Sequence, residues 1–181
     1  MKKIQEIRAE FEESREESWP SLCEKYKDDG RKGVAALVTR CQRKMEALEA
    51  ERQRMYGMFA YEREYEHLGY ICGIDEAGRG PLAGPVVAGA VILQKNCGIL
   101  YLNDSKKLSA ARREELYRQI VEEAVAVGVG YASPQRIDEI NILQATYEAM
   151  REAIQKLKIK PQILLNDAVT IPGVSCPQVP I

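Results

Sequence analysis

The sequence holds a single histidine, His67, and its five cysteines (Cys23, Cys41, Cys72, Cys97 and Cys176) are an odd number, widely spaced and without a CxxC pair. These absences argue against a zinc site and against a disulfide framework. Cys41 and Cys72 lie inside apolar patterns and read as buried free thiols. Long hydrophobic runs are missing too: the longest, Val86 to Leu93, falls far short of the roughly 18 residues that a membrane-spanning helix needs. The first residues are charged where a secretory leader would be apolar, so a cytoplasmic protein is expected. Neither charge sign dominates. With a net charge of -1 over 181 residues, any contact with nucleic acid must come from a local site and not from a generally basic surface.

What is present changes texture along the chain. Residues 1–69 are rich in Glu, Arg and Lys, broken at Trp19-Pro20 and Asp28-Asp29-Gly30. Ile4, Ile7 and Phe11 mark a short amphipathic helix, and Val34, Leu37, Val38, Cys41, Met45 and Leu48 keep the spacing of a long one. Tyr61, Tyr65 and Leu68 continue at helical intervals and read as a packing face more readily than as a base-stacking platform. Charges of both signs are interspersed, as on a solvated helix surface. This stretch is expected to be a helical N-terminal extension without a catalytic constellation.

Residues 70–181 read as an α/β domain. Tyr70 to Asp75, Pro85 to Leu93 and the alternating Val125, Val127, Val129, Tyr131 predict strands, and Ile163-Leu164-Leu165-Asn166-Asp167 predicts a strand inside a sheet. Ser109 and Asn141 are candidate N-caps for two helices, one through Leu116 and Ile120, the other through Met150, Ile154 and Leu157.

Two predicted strands end on acids, Asp75-Glu76 and Asp167, where α/β sheets commonly place their ligands. If those strands are neighbours the carboxylates converge, and like charges so gathered are costly unless cations neutralise them. Hard divalent ions prefer such oxygens, and a pair of them can activate water and stabilise a leaving oxygen in phosphodiester hydrolysis. An Asp at a strand end is equally well a turn residue or a helix cap. Between the first two strands lies GRGPLAGP, whose glycines let backbone approach a ligand and whose Arg79 suits a phosphate or sugar edge. A plain tight turn is the simpler reading. The segment is neither GxGxxG nor a GK[ST] loop, which counts against dinucleotide binding and against a nucleotide-dependent kinase or ATPase.

The ordered blocks GIDEAGRGPLAGPVVAGAVIL, LNDSKKLS, IDEINILQAT and LLNDA, covering about residues 70–170, resemble bacterial ribonuclease HII, the type 2 ribonuclease H. The resemblance implies a ribonuclease H-like mixed sheet flanked by helices and a small helical extension before it. It implies an endonuclease dependent on Mn2+ or Mg2+ that cleaves RNA/DNA hybrids and DNA duplexes carrying embedded ribonucleotides. Matched position by position, it implies Asp75, Glu76 and Asp167 as metal-binding and catalytic acids and Gly78-Arg79-Gly80 as the loop sensing the ribose 2′-hydroxyl. It also implies Lys106, Asn141 and Thr146 as residues near the substrate. Asn166 stands where the family usually has an apolar residue. The family's fourth metal-binding aspartate and its stacking tyrosine lie beyond Ile181, so the domain is expected to be C-terminally incomplete. In this family a monomer is the rule, although a sheet edge cut short could self-associate. The rival expectation is a fragment that binds nucleic acid or a partner chain without cleaving.

Overall fold

The computed structural model describes residues 2–81, 83–167 and 169–181. Leu82, within the Gly-rich connection, and Ala168, after the third acid, lie outside the described residues. The chain forms two compact units, Met1–Gly57 and Met58–Ile181.

The first unit is helical: α1 (Ile4–Glu13), α2 (Trp19–Tyr26) and most of α3 (Lys32–Met58). Pro20 sits in the first turn of α2, where its missing N–H costs no helix hydrogen bond. The spacing read from the sequence becomes the core, in which Ile7, Phe11, Cys23, Tyr26, Val34, Val38 and Cys41 are buried together. Glu10 on α1 receives Lys2, Lys25 and the Tyr26 hydroxyl, tying α1 to α2.

In the second unit α4 (Ala60–Tyr65) and a 3-10 turn precede a five-stranded sheet. Here the expected tyrosine packing face fails: Tyr61 and Leu68 are exposed and α4 buries no residue. Six residues give too short a stripe to seat against a neighbour.

The strands are β1 (Ile71–Ala77), β2 (Val86–Ile92), β3 (Ala126–Ala132), β4 (Ile163–Asn166) and β5 (Gln178–Pro180), in spatial order β3-β2-β1-β4-β5. β1 to β3 pair antiparallel, while β4 lies parallel to both β1 and β5. The sheet is therefore mixed and flanked by helices, as expected. β5 covers the outer edge of β4, a pairing that the apolar pattern did not foretell.

α5 (Ala110–Glu123), α6 (Pro134–Ile140) and α7 (Ile142–Gln155) complete the unit. Ser109, Ser133 and Asn141 cap them, each side chain accepting a backbone N–H of the first turn. α7 packs on the sheet through Ala145, Ala149, Met150 and Ala153, all fully buried against Cys72, Ile74, Val86, Ala88, Ala90 and Ile92. Small residues on both surfaces allow a close approach. A Cβ at Gly130 or Gly128 would lie 1.8 Å from the Ala149 carbonyl oxygen or 2.0 Å from that of Ala153.

Candidate active site

Alternation along β1 places successive side chains on opposite faces. Cys72 and Ile74 are buried under α7, whereas Gly73, Asp75 and Ala77 are exposed on the other face. In the parallel β1/β4 pairing Ile74 is opposite Asn166, so Asp75 and Asp167 follow side by side on neighbouring strands. Both acids are exposed. Asp75 uses Oδ1 to accept the Glu76 backbone N–H at 2.7 Å.

Glu76, one step along, is half-buried and lies on the alternate face. Its Oε1 is 3.4 Å from Nη1 of Arg79, a long ion pair reaching back from the Gly-rich turn. That turn depends on Gly78: its φ is +94°, and a Cβ there would sit 2.2 Å from the Pro85 carbonyl oxygen. At Gly80, by contrast, a Cβ would meet nothing within 4 Å among the described residues. The turn thus leads from the acids to an exposed arginine beside unobstructed backbone.

Lys106 sits exposed in a 3-10 turn, Ser105–Lys107, capped by Asp104, which accepts the Lys106 backbone N–H at 2.9 Å. Arg113 of α5 braces that turn, its Nη1 donating to the carbonyl oxygens of Ser105 at 3.2 Å and Leu108 at 2.7 Å. Sequence reading passed over Arg113; an arginine four residues after a Ser N-cap is a weak signal for such a brace.

Asn141 is exposed with φ +68° and spends its Oδ1 on the α7 cap, accepting from Gln144 at 3.1 Å. Thr146 is 1 % exposed, and its hydroxyl donates to the Ile142 carbonyl at 2.8 Å. The structure accordingly puts Thr146 in the core under β-strands and not on the face that carries Asp75.

Asp75, Glu76 and Asp167 offer only hard carboxylate oxygens at the ends of adjacent strands, with no thiol or imidazole among them, a donor set suited to Mg2+ or Mn2+ and not to zinc. Among the described residues, however, no three His, Cys, Asp or Glu side chains are gathered so as to hold an ion. The β1/β4 register sets Asp75 and Asp167 side by side, and Glu76, paired with Arg79, stands apart.

Two acids thus lie at the ends of neighbouring parallel strands, followed by a Gly-rich turn bearing an exposed arginine. Comparison with known proteins gives the family. A family model described as ribonuclease HII matches residues 72–178, and one described as ribonuclease HII N-terminal domain matches residues 3–66. Ribonuclease HII of Lachnoclostridium phytofermentans is 57% identical over 179 residues, 99% of this chain and 70% of the relative. That of Clostridioides difficile is 45% identical over 182 residues, covering 99% and 71%. That of Bacillus licheniformis is 49% identical over 170 residues, covering 93% and 66%. Among solved structures, ribonuclease H2 from Pyrococcus horikoshii is 30% identical with a TM-score of 0.45, covering 59% of this chain and 52% of that one. A PCNA:RNase HII complex from Archaeoglobus fulgidus is 30% identical with a TM-score of 0.48, covering 61% and 62%. The chain belongs to the ribonuclease HII family, the type 2 ribonucleases H, enzymes that act on RNA/DNA hybrids and depend on divalent metal. Among the described residues no helix is long and apolar enough to cross a membrane.

Proposed function

We propose that this chain is an endoribonuclease that hydrolyses the RNA strand of RNA/DNA hybrids and cuts at ribonucleotides embedded in duplex DNA. The observation that carries the reading is the parallel β1/β4 register, which sets Asp75 beside Asp167 one residue past the Ile74 and Asn166 pair. In this reading Asp75, Glu76 and Asp167 hold Mn2+ or Mg2+. When bound, such ions supply an activated water and stabilisation of the departing oxygen. Arg79, exposed on the turn and only loosely paired with Glu76 at 3.4 Å, would meet a phosphate, which its planar fork suits.

Gly78-Arg79-Gly80 then faces the ribose, with open space at Gly80 where a sugar edge can meet backbone. Lys106, on its braced turn, holds the nucleic-acid backbone. Asn141, exposed at the start of α7, is a residue near the substrate in this reading; Thr146, buried with its hydroxyl bonded to Ile142, has no direct part in it. Residues 1–69 form the helical extension and 70–181 the catalytic domain, acting in the cytoplasm as a monomer on hybrid or ribonucleotide-bearing duplex.

The test is incubation of the purified chain with Mn2+ or Mg2+ and a labelled DNA duplex carrying one ribonucleotide, beside Asp75→Asn. The expected result is metal-dependent cleavage at the ribonucleotide, reduced at least about 100-fold in the variant, since even outer partners of a metal are worth about 10 to 100-fold. Cleavage undiminished in Asp75→Asn would refute the assignment of this acid. Binding of the duplex without any cleavage would replace the enzyme with a nucleic-acid-binding chain.

A further inference from the structure

Asn166 occupies a core position that an apolar residue would fill at lower cost. It is fully buried on the face shared with Ile74 and Leu164, and among the described residues its Oδ1 has no hydrogen-bond partner. A buried acceptor left unpaired is destabilising, and a native structure that keeps one calls for a compensating reason. That reason lies in the other half of the amide. Asn166 Nδ2 donates to the Val169 carbonyl oxygen at 3.1 Å and to Oε1 of Gln178 at 2.8 Å. Gln178 lies on β5, and its Oε1 also accepts the Ile171 backbone N–H at 2.7 Å while its Nε2 donates to the Ile171 carbonyl oxygen at 2.9 Å. Two side-chain amides thus hold the chain that follows β4, at Val169 and on both sides of Ile171, which is itself buried. Asp167 lies between the grip and the strand.

We propose that Asn166 and Gln178 are positioning residues that fix the segment carrying Asp167, so that its carboxylate is presented to a divalent cation beside Asp75. This rests on Asp167 being a metal ligand, as argued above. The amide pair touches neither substrate nor metal. It acts by restricting the backbone on which the acid is mounted, and a ligand whose backbone wanders binds its ion more weakly at unchanged chemistry.

The parent chain, Gln178→Leu, Asn166→Val and Asp167→Asn are titrated with Mn2+, the free ion being followed by its electron paramagnetic resonance signal. Amide hydrogen exchange at Ile171 and binding of an RNA/DNA hybrid without metal are measured on the same samples. Gln178→Leu and Asn166→Val are each expected to weaken Mn2+ binding by about 10-fold, the lower end of the range for outer partners of a metal. Ile171 exchange should accelerate, and metal-free hybrid binding should stay as in the parent. Because the two amides act as one grip, the double variant should bind Mn2+ no more weakly than the worse single one, a failure of additivity that independent sites do not show. Should Gln178→Leu fail to fold, Asn166→Val, which sets an apolar side chain against Ile74, carries the same test.

Mn2+ affinity unchanged in both clamp variants, with Asp167→Asn weakened, would overturn the positioning role and leave the metal assignment standing. Unchanged affinity in Asp167→Asn, or no Mn2+ binding by the parent chain, would remove the metal assignment itself and the clamp's role with it.

Discussion

Replacing Gly130 by alanine tests whether the seat of α7 on β3 is as close as the structure draws it. The added Cβ would lie 1.8 Å from the carbonyl oxygen of Ala149, where such contacts do not fall below 3.0 Å. The helix must therefore retreat by the difference, 1.2 Å or more. Both obstructing groups are backbone, so no rotamer change relieves the clash, and Ala149 and Ala153 have no side-chain length to give. Overpacking of a core ordinarily costs about 1–3 kcal/mol, and the upper end, about 3 kcal/mol, applies where nothing can turn aside. For a unit of this size each kcal/mol moves the melting temperature by roughly 4 °C, so a fall of about 12 °C is expected. Gly89 in β2 is the control, since nothing lies within 4 Å of a Cβ built there. Gly89→Ala should be neutral or stabilising by about 0.4–1 kcal/mol, because alanine narrows the unfolded ensemble. The assay is thermal unfolding followed by circular dichroism, which sees the loss of α7 directly. A Gly130→Ala protein melting within about 3 °C of Gly89→Ala, less than one kcal/mol by the same scale, would refute the close seat.

Acid should loosen the N-terminal unit in a defined window. Lys2, Lys25 and Tyr26 hold the Glu10 carboxyl down to about 2 from 4.5, and Arg31 holds Asp29 at about 2 from 3.8. A folded-state pKa below the unfolded one means stability present above the unfolded value and lost as pH falls through the folded one. Stability should therefore decline from about pH 4.5 toward 2, read by Trp19, the single tryptophan. Glu10→Gln should flatten that slope, and an unchanged slope would contradict the ion-pair account. Among the thiols, burial pushes Cys72 up to about 12 and Cys23 to about 11, the latter with Cys41 beside it. Iodoacetamide at pH 8 should then label the half-buried Cys97 and Cys176 before Cys23, Cys41 and Cys72, as peptide mass spectrometry can show. Labelling of Cys72 as fast as Cys97 would contradict its burial.

Where a side chain's role follows from its place on a repeating backbone, the sequence makes it legible. Strand periodicity and an apolar run ending on Asp167 lead to β1 and β4, whose adjacency, only a condition in the sequence, is the parallel pairing found. Serine and asparagine caps are legible for the same reason, since the cap's hydrogen bond is local. α6 carried its own signal in Ser133-Pro134, a cap followed by a proline in the first turn, yet its seven residues hold too few apolar positions to show a period. β5 has three residues and shows no alternation that could be read.

The features hidden from the sequence are those in which one side chain serves a distant backbone. Thr146 reads as a polar residue in a motif, and only the packing of α7 shows that its hydroxyl is consumed within its own helix. Arg113 bracing the Lys106 turn, and Gln178 gripping both sides of Ile171, have no fixed spacing to betray them. Asn166 is the instructive case. As a residue it looked like a small departure at a strand end; as a buried amide with two well-placed donations and an oxygen unpaired among the described residues, it becomes part of how the chain holds its third acid. The strand pattern says where an acid lies along the chain. How firmly the acid is held depends on polar groups that the pattern counts as noise, here two side-chain amides twelve residues apart in the chain.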